Sequence, residues 1–250
     1  MFLFEKCFDL DELARRNLHV HTRFSSCAKP EMTLEAIVRE AERAGLTDIA
    51  LVDHSNVEAD GSSTPVPAHN EILKAQRAAL DTPVRILIGS ELSALGLGRY
   101  SETPENMRAM EYRLFAQNHY HLSCWEQPED RSPAGYARHM IAVLTELFRT
   151  DFCDCVAPPL APVKLRIENA GRVLDEISDA ALGDLLAAGE AAGSAWELHS
   201  GAICGWPDFA RRYFNLGREI GVHFHMATDA HRLAAVDTAP ALAEYRKILL

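Results

Sequence analysis

The chain contains no apolar run of membrane-spanning length, and Met1 to Leu13 holds only Phe2, Leu3 and Phe4 before Glu5 intervenes. That opening is too short for a secretory signal, so the expectation is a cytoplasmic protein with no membrane partner. The six cysteines fall at irregular positions with no Cys-x-x-Cys pair, which excludes a disulfide scaffold or a thioredoxin-like redox site and points to reduced thiols. Basic residues are outnumbered, 25 Lys and Arg against 36 Asp and Glu, for a net charge of −11. An extended nucleic-acid backbone would meet repulsion, whereas a compact ligand held by metal stays possible. There is no P-loop lysine motif, no Gly-x-Ser-x-Gly elbow and no His-Glu-x-x-His pair, and Gly96-Leu97-Gly98 lacks the third glycine of a dinucleotide fingerprint. Linker-like stretches and internal repeats are missing as well. What the chain has is 250 residues with 48% hydrophobic content, enough for a sizeable core, and eleven histidines.

Short β-branched or apolar runs alternate with longer stretches of helical spacing, an α/β pattern. Strands are predicted at Leu18 to His21, Asp48 to Asp53, Val84 to Glu91, His119 to Ser123, Cys153 to Ala157, Ser194 to His199 and Val222 to Thr228. Helices are predicted at Thr33 to Ala44, Pro67 to Leu80, Pro133 to Arg149, Val163 to Ala192 with a break near Gly183, Pro207 to Ile220 and Ala234 to Lys247. Alternation of this kind implies parallel strands joined by right-handed crossovers. Polar residues collect at the predicted C-terminal strand ends: His19 and His21, Asp53 and His54, Glu91, His121, His199, Asp229 and His231. Barrel sites are built at such ends, so the expectation is one barrel with a single polar mouth. The stretch from Leu92 to Arg131 reads as irregular and long for a barrel connection, the kind of excursion that covers a site and chooses its substrate.

His19-Val20-His21 puts two imidazoles on one face of a strand, where both can grip one ion. With Glu91, Asp229 and the other histidines they form a mixed nitrogen and oxygen donor set that suits Zn, Mn or Fe better than Ca. His223 and His225 share the face of Asp229 and are expected inside the barrel below the mouth, bonded to neighbours. Cys153 and Cys155 read as core packing, and Cys27 as a small apolar side chain tucked under its loop. Arg23 and Arg232 are the cations nearest the strand-end motifs and are candidates for binding a substrate phosphate.

Asn17-Leu18-His19-Val20-His21-Thr22, Leu51-Val52-Asp53-His54 and Thr228-Asp229-Ala230-His231-Arg232 resemble, in order and spacing, three motifs of the PHP (polymerase and histidinol phosphatase) superfamily. Gly89-Ser90-Glu91 is similar to the segment holding the family's metal-bridging glutamate, and His121-Leu122 to the histidine segment after it. The resemblance spans nearly the whole chain. It implies a single PHP domain over residues 1–250, folded as a distorted seven-stranded (β/α) TIM-like barrel that binds two or three divalent ions, Mn, Fe or Zn. His19, His21, His54, Glu91, His121, Asp229 and His231 would be the ligands. The implied activity is hydrolysis of a small phosphomonoester, histidinol-phosphate-like or nucleotide-like, with a metal-bridged hydroxide as nucleophile and His231 or His199 protonating the leaving oxygen. One departure stands out: the family's His-Pro pair is replaced by Pro158-Pro159, and proline offers no ligand atom. That leaves two other readings in play, a metal-binding module without turnover and a metal-dependent hydrolase of a non-phosphate bond.

Overall fold

The computed structural model describes residues 2–55, 65–162, 165 and 167–250. Its strands are β1 Arg16–Val20, β2 Asp48–Ser55, β3 Arg85–Gly96, β4 Arg99–Tyr100, β5 Tyr112–Ala116, β6 Cys155–Val156, β7 Ala195–His199 and β8 Phe224–Ala227. Seven of them form one parallel path, β1-β2-β3-β5-β6-β7-β8, while β4 hangs antiparallel on β3. The ring closes at the C-terminal end of β1: Val20 bridges Ala230 in parallel, His21 N–H donates to Ala230 O at 2.9 Å, and Ala230 N–H donates to His19 O at 3.0 Å. The result is a nearly closed seven-stranded barrel, as the alternating pattern implied.

The helices are α1 Leu10–Leu13, α2 Leu34–Arg43, α3 Val66–Ala78, α4 Pro104–Arg108, α5 Pro133–Leu147, α6 Arg172–Asp175, α7 Asp179–Ala191, α8 Ser200–Gly205, α9 Pro207–Ile220 and α10 Ala239–Leu249. α2 shows why they form. Thr33 caps it by accepting from Ala36 N–H, Leu34, Ile37, Val38 and Ala41 bury one face, and Gly45 at φ 70° turns the chain out. Each large aliphatic side chain so buried contributes about 1.5–3 kcal/mol. α9 matches its predicted bounds residue for residue, since Pro207 opens it and Gly221, left-handed at φ 83°, ends it.

Three apolar layers result. α2 packs Ile37 and Val38 against Val20, Ile49, Leu51 and Ile88 on one outer face. The larger outer layer joins Leu144, Leu186 and Phe214 to Phe115, Val156, Trp196 and Leu198. Inside the barrel lie Leu18, Ala50, Val52, Leu87, Tyr112, Leu114 and Cys155. His225 is buried there too, its Nδ1 hydrogen-bonded with Tyr112 OH at 2.8 Å, as its strand position foretold. Cys153 and Cys155 are buried, again as expected.

Several sequence expectations need correcting. The fourth barrel strand is Tyr112–Ala116, not His119 to Ser123, which forms turns with Leu122 N–H bonded to His119 O and Trp125 N–H to Leu122 O. Alternating histidines imitated a strand, whereas the true one buries Tyr112 and Leu114 inward and Phe115 outward. The supposedly irregular stretch 92–131 therefore holds the end of β3, then β4, α4 and β5. Gly183 does not break a helix but lies within α7, where its cost of about 1 kcal/mol is outweighed by buried Leu182, Leu185 and Leu186. The break comes earlier, before Ser178, whose hydroxyl caps α7; Val163, Lys164 and Arg166 of the predicted helix lie outside the described residues. The final helix starts at Ala239 rather than Ala234, after a separate turn at Leu233–Ala235.

Candidate active site

β1 carries an irregularity in its register between Asn17 and Val20. Across it, Leu18 packs inside the barrel, Val20 packs outside, and His19 and His21 both reach the mouth. Asn17 anchors the strand, donating from Nδ2 to Thr228 Oγ1 at 2.7 Å and to Val236 O at 2.9 Å. The Nε2 atoms of His19 and His21 lie 3.0 Å apart. Asp229, in the left-handed region at φ 54° that aspartate tolerates better than most residues, places Oδ1 3.0 Å from His21 Nε2 and 3.2 Å from His19 Nε2. Glu91 Oε2 lies 3.4 Å from His19 Nε2 and 2.7 Å from His54 Nδ1. Two residues before Glu91, a Cβ on Gly89 would overlap the Tyr112 carbonyl oxygen, so only glycine lets β3 and β5 pass this closely.

The far sides of the two rings decide where their protons sit. His19 Nδ1 faces Glu197 Oε1 at 2.7 Å, a carboxylate that can only accept. His21 Nδ1 faces Ser25 Oγ at 3.1 Å, and that hydroxyl already donates to Asp53 Oδ1 at 2.7 Å, so it too accepts from the ring. In their neutral forms both imidazoles thus carry the proton on Nδ1 and turn an unprotonated Nε2 toward Glu91 and Asp229. Acceptors converge there with no lysine or arginine among them in the described residues, and buried Glu197 Oε2 has no partner among those residues. A divalent ion fits this donor set.

The charges agree. Burial pulls the His19 imidazole down, but Asp229, Glu197 and Glu91 outweigh it and hold it well above the usual histidine range. His54 is likewise lifted against burial, by Glu91 and Cys27, to about 10. Burial, with His54 and His19 nearby, lowers His21 to about 4 despite its bond to Asp229. Glu91 and Asp229, which burial would push up, are both held far below the carboxylate range by the surrounding imidazoles. Without an ion, protons supply the positive charge that the carboxylates demand.

A cavity of about 160 Å³ opens onto this cluster. His19, His54, Glu91, His199, Asp229 and His231 line it, so the structure brings six of the predicted residues to one place, with His21 directly behind. His121 is the exception. The turn at 119–123 carries it into a separate cavity with Tyr120 and Trp125, and His119 faces the mouth instead. Arg23 and Arg232 are exposed and do not line the mouth cavity. Cys27 is not packed under its loop: it is exposed, lines the cavity and lies 3.0 Å from His231 Nε2. Burial would raise its thiol, but His231 and His54 bring it down to about 6. Pro158 lines the mouth as well, without a donor.

His199 has a distinct geometry. Its Nδ1 accepts from Ala202 N–H at 3.1 Å, capping α8, so a neutral ring keeps its proton on Nε2, 3.5 Å from Asp229 Oδ2. Sequence reasoning did not foresee the role of Asp53. It accepts from Thr22 N–H, Thr22 Oγ1 and Ser25 Oγ and so braces the loop behind His21 rather than joining the cluster. What separates it from equally buried Glu91 is that the donors of the loop after β1 occupy both its oxygens.

Comparison with known proteins accords with this picture. The PHP domain model matches residues 17–130, which contain the His19/His21 pair, His54 and Glu91. A crystal structure of histidinol phosphate phosphatase from Lactococcus lactis subsp. lactis Il1403, complexed with zinc, L-histidinol and phosphate, superposes with a TM-score of 0.65 at 13% identity, covering 94% of this chain and 92% of that one. That of a putative histidinol phosphatase from Listeria monocytogenes gives 0.63 at 11% identity, covering 93% and 99%. No curated protein matches the chain. The PHP domain match thus lies over the first three strands with their His19/His21, His54 and Glu91 positions, and the barrel fold is shared along nearly the full length of both phosphatase structures.

Proposed function

We propose that the chain is a metal-dependent phosphoesterase that hydrolyses a small phosphomonoester. The observation that carries this reading is the convergence of the Nε2 atoms of His19 and His21 on carboxylate oxygens of Glu91 and Asp229. Those four, with His54 and His231, are the residues we assign to divalent ions of the Zn, Mn or Fe class; His119, facing the mouth, takes the place expected for His121. Such ions supply Lewis acidity, stabilising charge on a phosphoryl oxygen and lowering the pKa of coordinated water. Glu197 and Ser25 hold the two rings in the tautomer this requires. His199, with a proton held on Nε2 at the cavity wall, is the donor for the leaving oxygen; His231, engaged with the Asp229 carbonyl and Cys27, is less free to act. A cavity of about 160 Å³ encloses a phosphate and its ions but not a whole drug-sized molecule, for which pockets run about 300–1,000 Å³. The alcohol portion would therefore lie outside, against residues 119–131. Arg23 and Arg232, exposed beyond the cavity, are assigned to drawing the phosphate dianion in rather than gripping it. The related structure holding zinc, L-histidinol and phosphate supports a small phosphorylated alcohol as substrate.

Pro158 favours a second reading, a metal-binding module without turnover, since one wall of the mouth lacks a donor. Metal analysis of the purified protein, with phosphate release from a panel of phosphomonoesters including histidinol phosphate and nucleotides, separates the two. Bound ions with release support the phosphoesterase. Bound ions without release on any substrate, after reconstitution, support the module.

A further inference from the structure

We infer that Cys27 makes one side of the mouth a soft ion site, its sulfur acting with one ring nitrogen each of His54 and His231 as a three-donor set distinct from the nitrogen and oxygen cradle of His19, His21, Glu91 and Asp229. The inference rests on the reading of the mouth as a metal centre and adds to it the chemical identity of one position.

The three side chains come from three parts of the chain: the loop after β1, the end of β2 and the segment after β8. Cys27 Sγ stands 3.0 Å from His231 Nε2, and a donor nitrogen of His54 lies within 4.8 Å of one on His231. Each imidazole has its Nδ1 taken by an acceptor, Glu91 Oε2 at 2.7 Å for His54 and the Asp229 carbonyl at 2.8 Å for His231. That leaves Nε2 as the ligating atom of each ring, the arrangement by which metal-bound histidines are oriented. The loop is stitched in place, with Ala28 N–H on Ser25 O at 3.0 Å and Lys29 N–H on His231 O at 2.9 Å, so the sulfur is fixed relative to His231. Buried Cys153 and Cys155 sit away from such partners, with their thiols pushed up by burial.

Thiolate is a soft donor, and imidazole suits zinc, so this trio selects Zn(II) over Mn(II) or Mg(II). Ligation releases the thiol proton to solvent and leaves a fourth position open to the cavity, as in sites where zinc meets a substrate. Mn(II) would be left to the oxygen-rich cradle alone.

The test is cobalt titration of the metal-free full-length protein, beside Cys27→Ser and Cys27→His. Wild type should develop a thiolate-to-cobalt charge-transfer band in the near ultraviolet. Cys27→Ser should lose the band and bind one zinc ion fewer per chain, while Cys27→His should recover the ion without the band. Alkylation of Cys27 by iodoacetamide, followed by mass spectrometry, should slow by about ten-fold or more when zinc is bound, because ligation withdraws the nucleophilic thiolate. Cobalt binding with no charge-transfer band, and alkylation indifferent to zinc, would overturn the inference while leaving the metal centre intact. Failure to bind cobalt or zinc at all would overturn the reading of the mouth itself.

Discussion

Asp53 offers the sharpest test of how the site is held. Its carboxylate is 2% exposed and accepts from Thr22 N–H at 2.7 Å, Thr22 Oγ1 at 2.6 Å and Ser25 Oγ at 2.7 Å. Hydrogen bonds to a charged group contribute about 1.5–3 kcal/mol each. The Thr22 and Ser25 hydroxyls can turn elsewhere, so Asp53→Ala loses three charge-assisted bonds and strands one buried donor, Thr22 N–H, and should cost about 2–4 kcal/mol. Asp53→Asn keeps one oxygen for Thr22 N–H and Ser25 Oγ and sets its amide against a hydroxyl able to accept, so about 1–2 kcal/mol is expected. The functional consequence is separate. Ser25 accepts from His21 Nδ1 only because its own proton is committed to Asp53. Without Asp53 the hydroxyl can donate to His21, which moves the ring proton to Nε2 and blocks ligation. Losses of this second-layer kind run to about 10–100-fold in metal affinity. Urea unfolding of the metal-free protein gives the first quantity, and zinc competition against a chromophoric chelator the second. An Asp53→Ala protein within about 0.5 kcal/mol of wild type would refute the burial argument. One that loses stability but binds zinc as before would refute the tautomer argument.

Three further outcomes are expected. Asp229→Ala should abolish both metal content and phosphate release, since Asp229 touches His19, His21 and His199; full activity would sink the ligand assignment. Gly89→Ala drives a methyl into the Tyr112 carbonyl oxygen, an overlap beyond ordinary overpacking costs of about 1–3 kcal/mol, so the variant should fail to fold or melt far below wild type. Burial lowers His225 from 6.5 to about 3, so the unfolded chain takes up a proton that the folded one refuses. That contribution is complete above pH 6.5 and is lost as pH falls toward about 3, at up to about 1.4 kcal/mol per unit. Urea midpoints between pH 7 and 5 should show this slope, and His225→Phe should flatten it.

The barrel was legible because its signals are local. Helix α2 has a threonine cap, an apolar stripe and a glycine stop within thirteen residues, 33–45, and the strand-end motifs each pair a short apolar run with donors. Histidine and carboxylate positions at the ends of β1, β2 and β7, within β3 and just beyond β8 could be named because parallel strands deliver their C-terminal halves to one mouth. What escaped depended on non-local pairing. Tyr112–Ala116 is a strand because Leu114 and Phe115 find Cys155 and Val156 beside them, a fact no window around residue 112 contains. His119 and His121 have the same local pattern, and only the turn after Ala116 decides which one faces the mouth. Cys27 looked like filler because its partners, His54 and His231, lie 27 and 204 residues away in sequence.

The donors are unevenly spread around the mouth, and that asymmetry bears on how many ions the site can hold. The arc built from β1, β2, β3 and the segment after β8 carries His19, His21, His54, Glu91, Asp229, His231 and Cys27. The arc at β6 ends in Pro158, whose carbonyl is occupied by Gln117 Nε2 at 3.3 Å, and beyond it Leu160 sits at φ 58°, a costly conformation for a branched side chain. On that side Glu91 is shared with His54, and the remaining groups are His119 and the buried Asn118, whose Oδ1 has no partner among the described residues. An ion there would need Glu91, His119 and an amide oxygen, a weaker set than either of the other two positions. If the mouth is the metal centre proposed above, this inventory predicts two firmly held ions and a weak third, to be checked by metal content per chain at low and at high metal concentration. On the same proposal, a substrate phosphate would be drawn toward the His199 wall rather than toward Pro158, so His199→Ala should lower phosphate release far more than Pro158→Ala when both are assayed with metal supplied.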